Sequence, residues 1–232
     1  MQSKENIAII FFSRKASQDG RYKDFVSNKK SVKNKTISAS FIAKTQQTLE
    51  ATNIPVYHFH QGNQTGNTFG EKLANAYQEI FNLGYEGIIA VGNDSPELAN
   101  ANWNDIQNKL SKGDSVLGPS LRGGTYLIGL TKETFNKQAF ASLPWQTHQL
   151  FDELSKLCES KAQVHILERI RDINTYSDLK LFIKKASIDL VFKKIIQYIL
   201  NLRTEEKVSL TPLFITSPLL IGSPFRAPPL SY

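Results

Sequence analysis

The chain has one cysteine, Cys158, which excludes an internal disulfide and a cysteine-based zinc site. Cys158 falls in an apolar-periodic stretch and reads as a core thiol rather than a nucleophile. No apolar run reaches the length of a membrane span, and the N-terminus lacks the pattern of a secretory leader, so the expected location is the cytoplasm. No Gly-x-Gly-x-x-Gly follows the first apolar run, which argues against a nicotinamide cofactor. A Walker A loop is also missing, which argues against a P-loop nucleotide hydrolase. There is no internal repeat.

What is present is an ordinary globular composition, 41% apolar and 21% charged over 232 residues, enough for one well-packed domain with a small appendage. The net charge of +7 is unevenly placed. Residues 1–45 carry ten Lys/Arg against three acids, and the rest of the chain carries eighteen of each sign. A local basic excess points to a polyanionic ligand near the first loop; a solvated basic loop is the plainer alternative. The basic stretch has few interleaved aromatics and no nucleic-acid motif, so nucleic acid is not an expected partner.

Short apolar runs alternate with helical periodicity. Strands are expected at 6–12, 54–59, 88–91, 115–119, 125–130 and 164–167. Helices are expected from about 37 to 51, over 69–83, after Ser95, at about 132–142 and 147–160, over 175–183 and over 188–202. The segment from Ser13 to about Lys35 reads as a long polar loop. His58 and His60 alternate with apolar residues and, with no third ligand nearby, read as polar strand residues. The pattern predicts a three-layer α/β/α domain with a mostly parallel mixed sheet. The expected division is a domain over residues 1–185 and a C-terminal helix with a Pro-rich tail over 186–232, either packed on the domain or mediating self-association as a homo-oligomer.

The stretch Ile88–Leu98 organises the rest. It runs from an apolar strand into Gly92-Asn93-Asp94-Ser95-Pro96, with Ser95 as a candidate N-cap and Pro96 at the first helical position. Asp94 then sits at the carboxyl end of a central strand, where ligands bind in open α/β sheets. A carboxylate there either holds a divalent cation that in turn holds phosphates, or only helps to cap the helix.

Five separated pieces, taken in order, carry a family resemblance. They are Gly92–Leu98, Leu117-Gly118-Pro119, Gly123–Leu130, Leu143–Thr147 and Arg171–Leu179. Together they resemble a bacterial family of incompletely characterised glycosyltransferases with the GT-A, nucleotide-diphospho-sugar transferase fold. That family is related to the molybdenum-cofactor and phospholactate guanylyltransferases. The resemblance spans roughly residues 6–185. It implies that Asp94 and Asn174 hold the metal, Mg or Mn, and that the glycine pair Gly123 and Gly124 admits the backbone close to donor or acceptor. Three departures are visible, one of them the Gln61–Gly70 loop, which is only loosely similar although Gly70-Glu71-Lys72-Leu73 fits. In the first loop, Gly20 and Lys23 keep a Gly-x-x-Lys spacing, but the Thr-Arg-Leu run that normally follows is replaced. Arg122 stands where the family usually has Asp.

The resemblance implies a metal-dependent transferase using a nucleotide-activated donor, first of all a glycosyltransferase acting on a nucleotide-diphospho-sugar and a small-molecule acceptor. The alternatives are a nucleotidyltransferase releasing pyrophosphate and a degenerate, non-catalytic relative that binds a ligand or a partner. In the catalytic reading Asp94 and Asp172 carry the chemistry, with Asp172 a general-base candidate by position. Arg14, Gly20, Arg21 and Lys23 meet the nucleotide phosphates. Arg122, Gly123, Gly124, Tyr126 and Trp145 meet the substrates, although Trp145 reads equally well as a core residue.

Overall fold

Along the first strand, successive side chains go to opposite faces of a sheet, and both faces are apolar. Ala8 and Ile10 enter one buried cluster, while Ile7, Ile9 and Phe11 enter another. Such a strand must be covered by helices on both sides. The computed structural model describes residues 6–26, 32–185 and 189–202 and has that architecture. Its elements run β1 (Ile7–Phe12), α1 (Ala16–Tyr22), α2 (Val32–Glu50), β2 (Val56–Phe59), α3 (Phe69–Asn82) and β3 (Gly87–Val91). A 3-10 turn (Pro96–Asn100) and α4 (Trp103–Leu110) lead to β4 (Ser115–Pro119), β5 (Thr125–Thr131), α5 (Lys137–Ala141) and α6 (Leu150–Glu159). β6 (Val164–Ile166), α7 (Tyr176–Lys184) and α8 (Leu190–Asn201) complete it.

The six strands form one sheet in the order β2-β1-β3-β5-β4-β6. β5 is antiparallel to both of its neighbours, and the other pairings are parallel. This is the expected α/β fold with a mostly parallel mixed sheet. Helices α3, α5 and α6 cover one face through Tyr77, Phe140 and Leu154, among others. Helices α2 and α4 and the 3-10 turn cover the other through Leu49, Ile106 and Leu98. A third cluster lies outside the sheet, where Phe25, Phe41, Ile173, Phe182, Phe192 and Ile196 join the first loop, α2, α7 and α8. Helix α8 thus packs on the body of the molecule. The Pro-rich tail lies outside the described residues. Among the described residues, no helix is long and apolar enough to cross a membrane.

Local signals explain several boundaries. Thr68 and Glu71 form a reciprocal capping box at the start of α3, and Gly84, at φ +97°, ends the helix. Elsewhere the expected elements need correction. The segment read as a long loop contains α1. Its buried residues are Asp19 and Gly20, so it offers no apolar periodicity to read. The helix expected directly after Ser95 is only the 3-10 turn, and α4 starts later, with the Asn102 side chain accepting from the Asp105 amide. The helix expected at 132–142 shrinks to α5, because Thr131 and Thr134 close a hydrogen-bonded turn and Asn136 provides the cap.

Candidate functional site

β1 lies between β2 and β3, so the chain leaves β1 on one side and returns on the other. That reversal opens a crevice beyond the carboxyl ends of β1 and β3. A cavity of about 550 Å³ occupies it, floored by Ser13 and Arg14 after β1 and by Gly92, Asn93 and Asp94 after β3. The volume is within the range of small-ligand sites. Asp19 and Tyr22 of α1, Lys72 of α3, Tyr126 of β5, Trp145 and Asp172 contribute walls.

The first loop enters this site in an unexpected way. Lys23 is the residue after α1, and its side chain is only 5% exposed. Its Nζ lies 2.5 Å from Asp94 Oδ1 and also donates to Asn174 Oδ1. The backbone around this contact is bonded on every side. The Lys23 amide donates to Asp19 O at 3.1 Å, and the Asp24 amide donates to Asn174 O at 2.8 Å. The Ile173 amide donates to Asp94 O at 2.8 Å. Asn34 of α2 clamps the loop from behind: its Nδ2 donates to the carbonyls of Gly20 and Lys23, and its Oδ1 accepts from the Phe25 and Val26 amides.

Two further carboxylates face the same cavity. Asp172 Oδ1 accepts from the Ser95 hydroxyl at 3.1 Å, so Ser95 ties two loops together instead of capping a helix. Asp19 Oδ2 accepts from Asn93 Nδ2 at 3.3 Å. Burial raises the pKa of both Asp19 and Asp172 above the usual value, and the neighbouring Asp94 charge adds to the rise. At the edge of the cavity Ser13 Oγ lies 2.8 Å from His58 Nε2. Burial of His58 lowers its pKa to about 4, so the ring is neutral at pH 7.

The remaining expected residues separate into two groups. Arg14, Gly124, Tyr126 and Trp145 line the cavity with Asp94 and Asp172. The Arg14 guanidinium lies 4.1 Å from the centre of the Tyr22 ring. The Trp145 indole is both wall and core: it packs on Phe69 and Phe140, and its Nε1 donates to Phe140 O. Tyr126 donates its hydroxyl to Glu168 O, and burial raises its pKa to about 12. Gly20, Arg21, Arg122 and Gly123 are not among the lining residues. Gly20 faces α2, where an added Cβ would meet Lys35 Cα at 3.0 Å. Gly123 is required by its φ of +80° and by the backbone of His148, 2.0 Å from where a Cβ would be. Arg122 donates to both carboxylate oxygens of Asp178 at 2.8 Å, outside the cavity.

Sequence reasoning did not single out Ser13, Asp19, Lys72 and Asn93 as site residues. Ser13 directly follows β1, and Asn93 lies between the end of the expected strand and Asp94, so the strand-end rule could have found both.

Asp94 and Asn174, which the family resemblance makes metal ligands, do come together. Their donor set does not fit a divalent cation as arranged. Mg²⁺ demands about six oxygens in octahedral geometry. Here the two inward oxygens both face the Lys23 ammonium. Among the described residues, no group of three or more His, Cys, Asp or Glu is clustered closely enough to hold a metal.

Comparison with known proteins agrees with the fold. Residues 35–147 match the family described as uncharacterized proteins conserved in bacteria. A crystal structure of a protein from Desulfovibrio desulfuricans G20, provisionally called a nucleotide-diphospho-sugar transferase, superimposes with a TM-score of 0.70 at 20% identity. The match covers 84% of this chain and 97% of that one. It establishes a nucleotide-diphospho-sugar transferase-like fold. A homologue of Mycobacterium tuberculosis Rv0371c from Mycobacterium sp. strain JC1 is more distant, with a TM-score of 0.43 and 8% identity over 87% of this chain and 100% of that one. No curated protein matches the chain.

Proposed function

We propose that the crevice binds a nucleotide-diphospho-sugar and that the protein transfers the sugar to a small acceptor. The observation that carries this reading is the crevice at the switch point between β1 and β3, lined by both cations and carboxylates. Arg14 and Lys72 supply positive charge on the β1 and α3 side. Asp94 and Asp172 supply carboxylates on the β3 side. The likeness to the Desulfovibrio protein supports the same reading.

In the proposed transfer the bond between the sugar C1 and the diphosphate oxygen breaks and a bond from C1 to the acceptor oxygen forms. The acceptor hydroxyl proton passes to a carboxylate, for which Asp172 is the candidate. Its burial-raised pKa suits a proton acceptor better than an ordinary carboxylate would, because the best general base has a pKa nearer the working pH. The departing diphosphate gains negative charge, and Arg14 and Lys72 stabilise it electrostatically. Trp145 offers an apolar face to the sugar or acceptor.

The test is a thermal-shift panel of UDP-, GDP-, ADP-, CDP- and TDP-sugars and the free triphosphates. A ligand of the native state raises the melting temperature by mass action. A shift with one diphosphate-sugar supports the transferase reading and names the donor. A shift with triphosphates alone replaces it with nucleotidyl transfer. No shift in a cooperatively melting protein leaves a binding relative without this activity.

A further inference from the structure

We propose that the Lys23 ammonium takes the place of the divalent cation in this site, so that the donor diphosphate binds without a metal. The inference rests on the transferase reading for its ligand, but not for its geometry.

A cation that serves a nucleotide diphosphate has two tasks. It neutralises the carboxylate at the strand end, and it presents positive charge toward the phosphates. Lys23 performs the first directly: its Nζ contacts Asp94 Oδ1 at 2.5 Å and also binds Asn174 Oδ1. Asp94 is the exposed member of that pair, at 39%, and lines the cavity, with the lysine behind it. A diphosphate approaching the crevice therefore meets a carboxylate whose charge is already compensated.

Two features separate this lysine from an adventitious surface pair. The first is its anchorage. Its amide donates to Asp19 O of α1, its carbonyl accepts from Asn34 Nδ2 of α2, and the next residue is paired to Asn174 through the main chain. Phe25, two residues on, is 1% exposed in the third cluster, so the loop is fixed by core packing and not by the charge alone. The second is competition. A divalent ion bound to the same two oxygens would stand within a few ångströms of an ammonium that has almost no route to solvent. Like charges at that spacing repel strongly in a partly buried site. The other carboxylates already accept hydrogen bonds, Asp172 from Ser95 and Asp19 from Asn93.

The experiment uses the full chain, with Mn²⁺ alone as one probe and the diphosphate-sugar panel in EDTA as the other. Electron paramagnetic resonance counts free Mn²⁺ directly. The wild type is expected to leave Mn²⁺ free, and its nucleotide affinity is expected to be the same in EDTA and in Mn²⁺. Lys23→Met, checked for folding by circular dichroism, uncovers the Asp94 and Asn174 oxygens. It is expected to bind Mn²⁺ at least about tenfold tighter than wild type, a difference of about 1.4 kcal/mol. The same variant is expected to lose nucleotide affinity in EDTA and to recover it in Mn²⁺. Mn²⁺ bound by the wild type and released by Asp94→Asn overturns the proposal, a result that needs no lysine variant. If no nucleotide binds under any condition, the transferase reading fails; the Mn²⁺ comparison between wild type and Lys23→Met still decides which cation the site holds.

Discussion

Among the described residues, two of the aspartate–cation pairs have opposite exposures. In Lys23–Asp94 the cation is buried at 5% and the carboxylate, 39% exposed, faces the cavity. In Arg122–Asp178 the carboxylate is buried at 3%, and the guanidinium, 48% exposed, lies outside the cavity. Asp178 is also the reciprocal partner of Thr175 in the capping box that starts α7. The first pair therefore presents its acid to the cavity, and the second spends its acid on the backbone. Charge type and spacing in the sequence do not separate the two; the direction in which each pair is buried does.

This contrast can be broken from both ends. The largest effect is expected from Asp94→Ala, which removes the carboxylate in direct contact with the buried Lys23 ammonium and leaves it Asn174 and the weaker fields of Asp19 and Asp172. Leaving one member of a buried pair uncompensated costs about 3 kcal/mol, measurable by urea denaturation. Lys23→Met removes the buried member instead and leaves Asp94 open to water, so its cost should stay under about 1 kcal/mol. The double variant should be more stable than Asp94→Ala alone, the non-additivity expected of residues in direct contact. Equal losses in the two single variants would contradict the assigned burial.

In the second pair the order reverses. Asp178→Ala removes the capping box along with the ion pair and should cost roughly 2 kcal/mol. Arg122→Ala leaves Asp178 its bonds from Thr175 and the Asn174 amide, so roughly 1 kcal/mol is expected. Neither should change nucleotide affinity, and a loss of affinity in Arg122→Ala would place Arg122 at the ligand after all.

Near neutral pH the smallest effects are those of titration, which emerge only as the pH falls. Burial pushes the Asp178 carboxyl up, but bonds from Thr175, Arg122 and the Asn174 amide outweigh it and hold the group below its ordinary 3.8. The stability this contributes is complete above pH 3.8 and is lost as the pH falls through the lower folded value. Asp178→Asn should therefore flatten the acid limb of a melting-temperature profile. His58 has its folded pKa lowered from 6.5 to about 4, first by burial and then by the nearby His60. Its contribution is complete above pH 6.5 and declines as the pH falls toward 4. His58→Gln should remove that shallow slope, and an unchanged slope would assign it elsewhere.

Much of this fold can be read from the chain. β1, β3 and α3 announce themselves through apolar runs and 3.6-residue periodicity, and Gly123-Gly124 announces a turn that a side chain cannot make. Asp94 was singled out because it follows a strand and Asp172 by its place in the family resemblance, and both line the crevice. The site was not legible where it depends on contacts between distant residues. Lys23 meets Asn174 across 151 positions, and Arg122 meets Asp178 across 56. Lysine is rarely buried, so Lys23 in a basic stretch reads as a solvent-exposed phosphate ligand. Helix α1 hides for a related reason: a glycine and an aspartate make up its buried face, a pattern that apolar periodicity cannot detect.

The most direct measurement is calorimetric titration of a nucleoside-diphosphate-sugar, taken from the thermal-shift panel, into the wild-type protein in EDTA. Saturable one-site binding is expected, weakened by Arg14→Ala and not strengthened by added Mn²⁺. Binding that appears only when Mn²⁺ is supplied would contradict that expectation.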